Sequence, residues 1–176
     1  PAGSVRVIYS LDAKQTDKEI IALIDAAKTH VYFAVYTFTL PSIAEALVRA
    51  KERGVDVRGV VDSGQSREGF STTVMEMLQR AEIQLVTEKH PTGSGIMHIK
   101  ALVTDSAYAH GSYNWTKSAT ISNDEILEIG TDETLRKVYE TILKRLLDAY
   151  AGNSAAAGAA ALVYGEQGRT ISDTTY

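Results

Sequence analysis

Apolar and polar residues alternate along this chain in two distinct patterns. Several short runs consist almost entirely of apolar residues, which is typical of strands buried on both faces of a sheet. Between these runs, apolar residues recur every three or four positions, as on the inner face of a helix. The predicted strands are Val5–Tyr9, Val31–Tyr36, Val55–Val61, Ile83–Val86, 97–105, Ala107–His110 and Ile126–Ile129.

The amphipathic stretches between the strands predict helices. Strands that alternate with helices indicate an α/β domain. We therefore predict a mixed, mainly parallel sheet with helices on both faces, formed by residues 1–150. The helices are expected after a capping box at Thr16–Glu19, from Pro41 to Gly54, over Thr73–Arg80 and after a cap at Thr131.

The composition narrows the class of protein. The 176 residues are enough for one domain with a sizeable core, and the Ala- and Gly-rich start of residues 151–176 predicts a tail that packs little. Cysteine is absent, so the chain has no disulfide and no thiolate nucleophile. The formal charge of −4 argues mildly against nucleic-acid binding, although a local basic cleft can still bind phosphate. No apolar run is long enough to cross a bilayer, so stable membrane insertion is not expected.

The segment around His98 and Lys100 contains the most informative polar residues. Side chains two apart on a strand point to the same face, so this imidazole and this ammonium would lie side by side. Such a pair suits chemistry on a phosphate, because the cation holds the anion while a neutral imidazole attacks or moves a proton. A lone histidine is more often structural. A lysine within an apolar strand, however, needs an anionic partner, and a bound phosphate is one candidate.

Further polar residues follow this segment closely. Gly111 lets the backbone approach a ligand, and Ser112 and Asn114 offer neutral donors to phosphate oxygens. Glu125 is placed to accept a hydrogen bond from a histidine ring, which would fix the tautomer and raise the basicity of the other nitrogen. The alternative for Glu125 is a charge at the edge of a strand. Asp105 is expected to occupy a turn.

Together these residues resemble the signature of the phospholipase D superfamily. His98–Asp105 matches its HxKxxxxD motif, Gly111–Asn114 matches the GSxN element that follows, and Glu125 matches the next acidic position. The resemblance covers roughly Val5–Tyr150 and is to the small bacterial nucleases with one motif per chain. The spacer before Gly111 is one residue shorter than the usual pattern. The Gly-rich loop before His98 is longer than in the compact nucleases.

The resemblance implies a reaction in which two histidines act on one phosphate. Because the chain has one motif, it implies a homodimer with the active site on the two-fold axis. His98 of one subunit would attack phosphorus and form a phosphohistidine, and His98 of the other would protonate the leaving oxygen and then activate water. Glu125 would orient the His98 ring, and Asp105 would have a structural or orienting role. No metal or other cofactor is implied. The implied catalytic residues are His98, Lys100, Asp105, Asn114 and Glu125, and the implied phosphate-binding residues are Lys100, Ser112 and Asn114.

Three functions are compatible with this signature. The leading one is a non-specific endonuclease that grips the backbone of DNA or RNA rather than reading bases. A phospholipase or phosphatidyl transferase is the alternative, although no amphipathic membrane helix is evident. The third is a non-catalytic nucleic-acid-binding module, which would not need the complete set of His98, Lys100 and Asn114. The resemblance to bacterial proteins and the start at Pro1 favour a periplasmic or secreted protein.

Two further expectations concern nucleic-acid contacts. Trp115 could stack on a base, but packing beneath the neighbouring hairpin is the favoured interpretation. The side chains that could contact a nucleic-acid backbone are basic and spread along the chain. They are Arg49, Lys51, Arg53, Lys89, His90 and Lys117. For Lys51 and Arg53, a solvated helix end is the favoured interpretation.

Overall fold

The computed structural model describes residues 3–90 and 92–155, which contain seven strands and six α-helices. The strands are β1 (Val5–Tyr9), β2 (His30–Val35), β3 (Asp56–Val61), β4 (Gln84–Thr87), β5 (Lys100–Thr104), β6 (Tyr108–Gly111) and β7 (Ile126–Gly130). The helices are α1 (Ser10–Ala13), α2 (Thr16–Ala26), α3 (Pro41–Glu52), α4 (Ser71–Arg80), α5 (Lys117–Ile121) and α6 (Glu133–Ala149), with a short 3₁₀ turn at Gln65–Arg67.

All seven strands form one mixed sheet in the order β1-β7-β6-β5-β2-β3-β4. Strands β2, β3 and β4 are parallel, whereas the other four pairings in the described residues are antiparallel. The mixed sheet is confirmed, but the prediction that it is mainly parallel is wrong. Only α3 and α4 are crossover helices between parallel neighbours. Strands β5 and β6 are joined by a short turn, and β6 and β7 by a longer segment that contains α5; neither connection crosses over to a parallel neighbour, so both pairings are antiparallel.

Helices cover both faces of the sheet, as predicted. Helices α2, α3 and α4 pack on one face, where β2 and β3 contribute Phe33, Val35 and Val61 to the larger core. Helix α6 packs on the other face, where Leu143 and Leu147 meet strand side chains in a second, smaller core. Because helices cover both faces of the sheet, β2 is apolar at nearly every position.

Two helix caps differ from the prediction, and α4 begins at Ser71 rather than Thr73. Helix α2 begins at Thr16 itself, so the expected capping box is absent, and the buried Thr16 Oγ1 has no hydrogen-bond partner among the described residues. Helix α6 is capped by Asp132 rather than Thr131, because the Asp132 carboxylate accepts a hydrogen bond from Leu135 N at 3.0 Å. Both differences shift a cap by one residue and leave the helices in place.

The start of the predicted tail packs against strand β4. The Asn153 amide donates to Thr87 O at 3.0 Å and to Glu88 O at 3.2 Å, and Thr87 N donates to Asn153 O at 2.9 Å. Ala155 is 9% exposed and belongs to the larger core. Residues 151–155 therefore cover the outer edge of the sheet. The rest of the predicted tail, residues 156–176, lies outside the described residues.

Candidate active site

His98 and Lys100 meet where the polypeptide enters β5. Lys100 is the first residue of the strand, and His98 lies just before it rather than on it. The Lys100 ammonium lies 3.0 Å from His98 Nδ1 and 3.1 Å from Nε2, and it donates to His98 O at 2.9 Å. A position this close to both ring nitrogens is reachable only over the ring face, since Cε1 blocks it in the ring plane. The in-plane directions in which the two nitrogens form bonds therefore stay open to a ligand, and the His98 side chain is exposed.

Tyr36 completes this cluster, and the sequence reasoning missed it. The Tyr36 ring lies 4.7 Å from the His98 ring, and Lys100 Nζ lies 5.6 Å from the Tyr36 centroid. Tyr36 directly follows Val35, which is paired with Lys100 across β2 and β5. It had been counted as the end of a buried strand, and only the pairing of β2 with β5 brings it to the histidine.

The pKa of Lys100 is lowered. Partial burial of its ammonium is the main cause, and the negative charge of Glu125 opposes the effect without cancelling it. Lys100 has no salt bridge to a carboxylate among the described residues. A partly desolvated ammonium without a bridging carboxylate is suited to an incoming phosphate.

Asn114 is held so that its amide group remains available to a ligand. Its Oδ1 accepts a hydrogen bond from Thr37 N at 3.0 Å, which fixes the orientation of the side chain. Its Nδ2 has no hydrogen-bond partner among the described residues. The two remaining donors agree with the predicted role in binding phosphate oxygens.

Ser112 also continues the strand pairing beyond β6. Its N–H donates to Ile126 O and its Oγ accepts from Ile126 N, both at 3.0 Å. The hydroxyl proton is not used by these bonds, and the side chain is exposed. Gly111 before it has φ of 157°, and a Cβ there would lie 2.1 Å from Ile126 O. The close approach of the two strands, rather than backbone strain, requires glycine at this position.

Glu125 does not reach His98 within one subunit. Its carboxylate accepts a hydrogen bond from Asn123 Nδ2 at 3.2 Å, and its N–H donates to Ser10 Oγ at 2.9 Å. No contact between Glu125 and His98 is present among the described residues, and the role of Glu125 in orienting the His98 ring stays a prediction. Its demonstrable influence is on Lys100, whose charged form it favours.

Asp105 is at the opposite end of β5 from His98. A strand advances about 3.3 Å per residue, so the two side chains are roughly 20 Å apart. The Asp105 carboxylate accepts hydrogen bonds from Lys28 N at 2.8 Å and Thr29 N at 3.0 Å, which fixes the entry to β2. These contacts agree with the structural role expected for Asp105, and they give no support to its inclusion among the implied catalytic residues.

We expect Asp105→Ala to lower the free energy of unfolding by about 1–2 kcal/mol at pH 7 and to preserve activity per folded molecule. Burial disfavours the charge of Asp105, but the N–H groups of Thr29 and Lys28 outweigh it and hold its pKa below the usual value. This stabilisation is present above the unfolded-state pKa and is lost as the pH falls through the lower folded-state pKa. Urea unfolding at pH 7 and at pH 3 should show the difference between variant and wild type narrowing in acid. A large loss of activity by a folded variant would return Asp105 to the catalytic set.

A buried carboxylate links the segment that precedes His98 to the segment that contains Asn114. Asp62, 3% exposed at the end of β3, accepts hydrogen bonds from Met97 N at 3.1 Å and from Gln65 N at 2.9 Å. Gln65 Oε1 accepts from Thr37 Oγ1 at 3.1 Å, and Thr37 N holds Asn114. The residue before His98 is thus connected to Asn114 through one network. In the sequence, the only indication of Asp62 is that it is a polar residue directly after a predicted buried strand.

Most of the candidate nucleic-acid contacts already have structural partners. Arg49 pairs with Asp25 at 3.0 Å, Lys51 donates to Glu82 O, and Arg53 donates to two carbonyls of the α2 C-terminal region. His90 packs edge-on against Tyr150. The two that remain unpaired among the described residues, and are exposed, are Lys89 and Lys117.

Trp115 is a packing residue, as favoured from the sequence. It is buried, and its ring lies 5.4 Å from Phe33 and 4.9 Å from Phe38.

Within residues 3–90 and 92–155, no three side chains cluster as metal ligands. No helix in that part of the chain is both long and apolar enough to cross a membrane.

The site residues lie at one end of the strands, along the edge of the sheet where neighbouring strands begin or finish. Tyr36 follows β2, Asp62 follows β3, His98 precedes β5, Ser112 follows β6 and Glu125 precedes β7. Because β5 and β7 run opposite to β2, β3 and β6, the start of some strands meets the end of others at this edge. The edge therefore combines an imidazole, an ammonium, a primary amide, a hydroxyl and a carboxylate.

Comparison with known proteins identifies the family. A family described as cardiolipin synthase, PLD-like domain, matches residues 20–147. A mitochondrial cardiolipin hydrolase of Xenopus tropicalis is 32% identical over 132 residues, which are 74% of this chain and 60% of the relative. A phospholipase D of Rickettsia conorii is 34% identical over 123 residues, 69% of this chain and 59% of the relative. The chain thus spans about 60% of the length of these curated relatives.

A solved structure agrees with this assignment over most of the fold. Nuc from Salmonella typhimurium, described as a phospholipase D family member, superposes with a TM-score of 0.75 and 30% sequence identity. The match covers 83% of this chain and 95% of Nuc. The chain belongs to the phospholipase D superfamily, whose enzymes are phosphodiesterase hydrolases.

Proposed function

We propose that this protein hydrolyses the phosphodiester bonds of nucleic acids without a metal ion, as an endonuclease, through a phosphohistidine on His98. The observation that carries the proposal is the Lys100 ammonium 3.0 Å from an exposed His98 imidazole whose in-plane nitrogens are open. A phosphate held by the ammonium would lie against the ring nitrogen that attacks it.

The proposed roles follow from the contacts of each side chain. Lys100, with the Asn114 amide and the Ser112 hydroxyl, would stabilise negative charge on the phosphoryl oxygens as phosphorus is attacked. Attack by His98 forms a nitrogen–phosphorus bond and breaks the bond to the leaving oxygen, which needs a proton. A water molecule then breaks the nitrogen–phosphorus bond and returns the free imidazole.

The leaving oxygen requires a proton donor other than the attacking histidine, and no other histidine among the described residues lies beside Lys100. We propose that a second copy of the chain supplies it, with its own His98 across a two-fold axis. An exposed apolar surface beside the site supports this homodimer. The surface has two adjoining parts: the region of β1 and β7 that α6 leaves uncovered on its face of the sheet, and the exposed apolar stripe along α6. Monomeric proteins rarely leave such a patch exposed. It consists of Val5, Val7, Tyr9, Ile126, Leu135, Val138 and Ile142.

We expect Val138→Asp to convert the dimer into monomers and to reduce activity in parallel, because a charge in an apolar interface is costly to desolvate. Val138 is 49% exposed, so the subunit itself should stay folded. Light scattering coupled to size exclusion, across a range of protein concentrations, measures the mass. Lys144→Ala is the control, since it makes the same change in net charge on another side of α6. A Val138→Asp variant that stays dimeric would place the interface elsewhere.

The proposed function is tested by incubating the full chain with plasmid DNA and single-stranded RNA in excess EDTA. We expect cleavage of at least one polymer, with one end of the cleaved strand trapped on His98 through its phosphate after an alkaline quench and found by mass spectrometry of peptides. Cleavage that requires added magnesium, or a phosphoryl group on another residue, would contradict the proposed mechanism.

A phospholipid phosphodiesterase is the second candidate. The cleft beside His98 has largely aliphatic and aromatic walls, and relatives named phospholipase D and cardiolipin hydrolase match this chain. Cardiolipin and phosphatidylcholine vesicles, incubated under the same conditions, test it. Hydrolysis of vesicles with both polymers left intact would replace the nuclease proposal with this one.

A further inference from the structure

A cleft of about 370 Å³ opens from His98 and Lys100 toward helix α6. Ile142 and Leu143 of α6 form one wall, and β5 and β6 form the other. The volume lies in the range of small-molecule sites, which are mainly apolar with a few placed polar groups. A group esterified to a phosphate at Lys100 can therefore extend either into solvent or into this cleft.

One polar pair interrupts the apolar lining. His110 of β6 is directly opposite Glu128 of β7 in the sheet, and its Nε2 lies 3.5 Å from the Glu128 carboxylate. The Tyr108 hydroxyl donates to the same carboxylate at 3.0 Å, and the Tyr139 ring lies 5.0 Å from the His110 ring. The carboxylate and the two tyrosines hold the imidazole in a defined position.

Neither member of this pair has a role in the proposed chemistry. The side chains of His110 and Glu128 are 39% and 31% exposed, and His110 Nδ1 has no hydrogen-bond partner among the described residues. A half-buried imidazole whose Nε2 faces a carboxylate at 3.5 Å and whose Nδ1 is unused is prepared to hydrogen-bond a ligand. A purely structural position in this wall would be filled at lower cost by an apolar side chain.

We infer that this cleft binds the nucleoside joined to the scissile phosphate, with His110 as a substrate-contacting residue and Glu128 as its positioning residue. The inference rests on the proposed function. The base would pack against Tyr139, and the His110 ring would form a hydrogen bond with the base or the sugar. The pair would then set a preference for the nucleoside beside the cleaved bond, without a role in the attack on phosphorus.

The test compares three small diesters that all release p-nitrophenol: bis(p-nitrophenyl) phosphate and the p-nitrophenyl esters of thymidine 5′- and 3′-phosphate. Only the last two contain a nucleoside. For His110→Ala, we expect kcat/KM for one thymidine ester, relative to that for the bis ester, to fall about three- to tenfold, mainly through KM. Glu128→Gln should act in the same direction. His110→Gln, which keeps a donor and an acceptor, should recover part of the ratio, and Lys144→Ala should leave it unchanged.

Three results would overturn the inference. An unchanged ratio for His110→Ala would mean that the cleft does not hold the nucleoside. An equal loss on all three esters would mean that His110 acts indirectly, through the position of Gly111 and Asn114. Wild-type protein that hydrolyses the bis ester but neither thymidine ester would exclude a nucleoside from the cleft. Failure of the proposed function is distinguished by the polymer assay, because wild type would then cleave neither plasmid DNA nor single-stranded RNA.

Discussion

Replacing His98 with alanine is expected to lower kcat/KM for phosphodiester hydrolysis by at least about 10⁴-fold. The change removes the proposed nucleophile of one subunit and the proposed acid of the other, and neither Lys100 nor Asn114 can take either role. The His98 side chain is exposed and lies beside Lys100 and Tyr36 rather than in the core, so the melting temperature should stay close to that of the wild type. Initial rates with bis(p-nitrophenyl) phosphate measure the first effect and a thermal melt the second.

Mixed dimers make this prediction specific to a shared site. If each site needs His98 from both subunits, a dimer with one wild-type and one His98→Ala subunit is inactive. Activity should then fall as the square of the wild-type fraction when the two proteins are unfolded together, mixed and refolded. A linear fall would show that each subunit acts alone, and the homodimeric mechanism would have to be abandoned. Mixing with Lys144→Ala controls for losses during refolding.

Replacing Lys100 with methionine is expected to lower kcat by about 10²–10³-fold without lowering the melting temperature at pH 7. The activity falls because the ammonium is the nearest fixed positive charge to the attacking ring, 3.0 Å from His98 Nδ1. The stability is preserved because partial burial penalises the ammonium, as its lowered pKa indicates. A lysine with a lowered folded-state pKa costs stability while it is charged, and methionine of similar length avoids that cost.

The pH dependence distinguishes the ammonium from a purely steric role of Lys100. In the proposed mechanism Lys100 acts in its protonated form, so its contribution is present below its lowered pKa and is lost as the pH rises through it. Lys100→Arg should keep part of the activity and shift that alkaline loss upward, because a guanidinium stays charged. Profiles of kcat/KM in alkaline buffers measure this shift. An arginine variant with the same alkaline loss as the wild type would assign that loss to another group.

Much of the fold could be predicted from the order of apolar and polar residues. Burial of a strand on both faces leaves a continuous apolar run, so β2 and β3 were recognisable, and the inner stripe of α6 was recognisable from its helical period. Strand direction was not predictable in the same way. Whether β5 runs parallel or antiparallel to β2 depends on which strands pair, and local sequence carries little information about pairing.

The sequence by itself determined the reacting pair, because two residues of spacing along an extended chain place His98 and Lys100 side by side. Gly111, Ser112 and Asn114 were also recognisable, since they follow within one hairpin. The spacing also places Asp105 at the far end of the strand from His98, but only the tertiary structure showed its partners, the N–H groups of Lys28 and Thr29 at the entry to β2.

Tertiary structure also decided which distant residues join the site. Tyr36 and Asp62 are far from His98 in sequence, and they reach it because β2, β3 and β5 meet at one edge of the sheet. The same pairing of strands brings Glu128 opposite His110 and creates the cleft against α6. Local spacing therefore specifies chemistry that lies within one strand or hairpin, whereas contacts between strands distant in sequence depend on the order in which the whole sheet assembles.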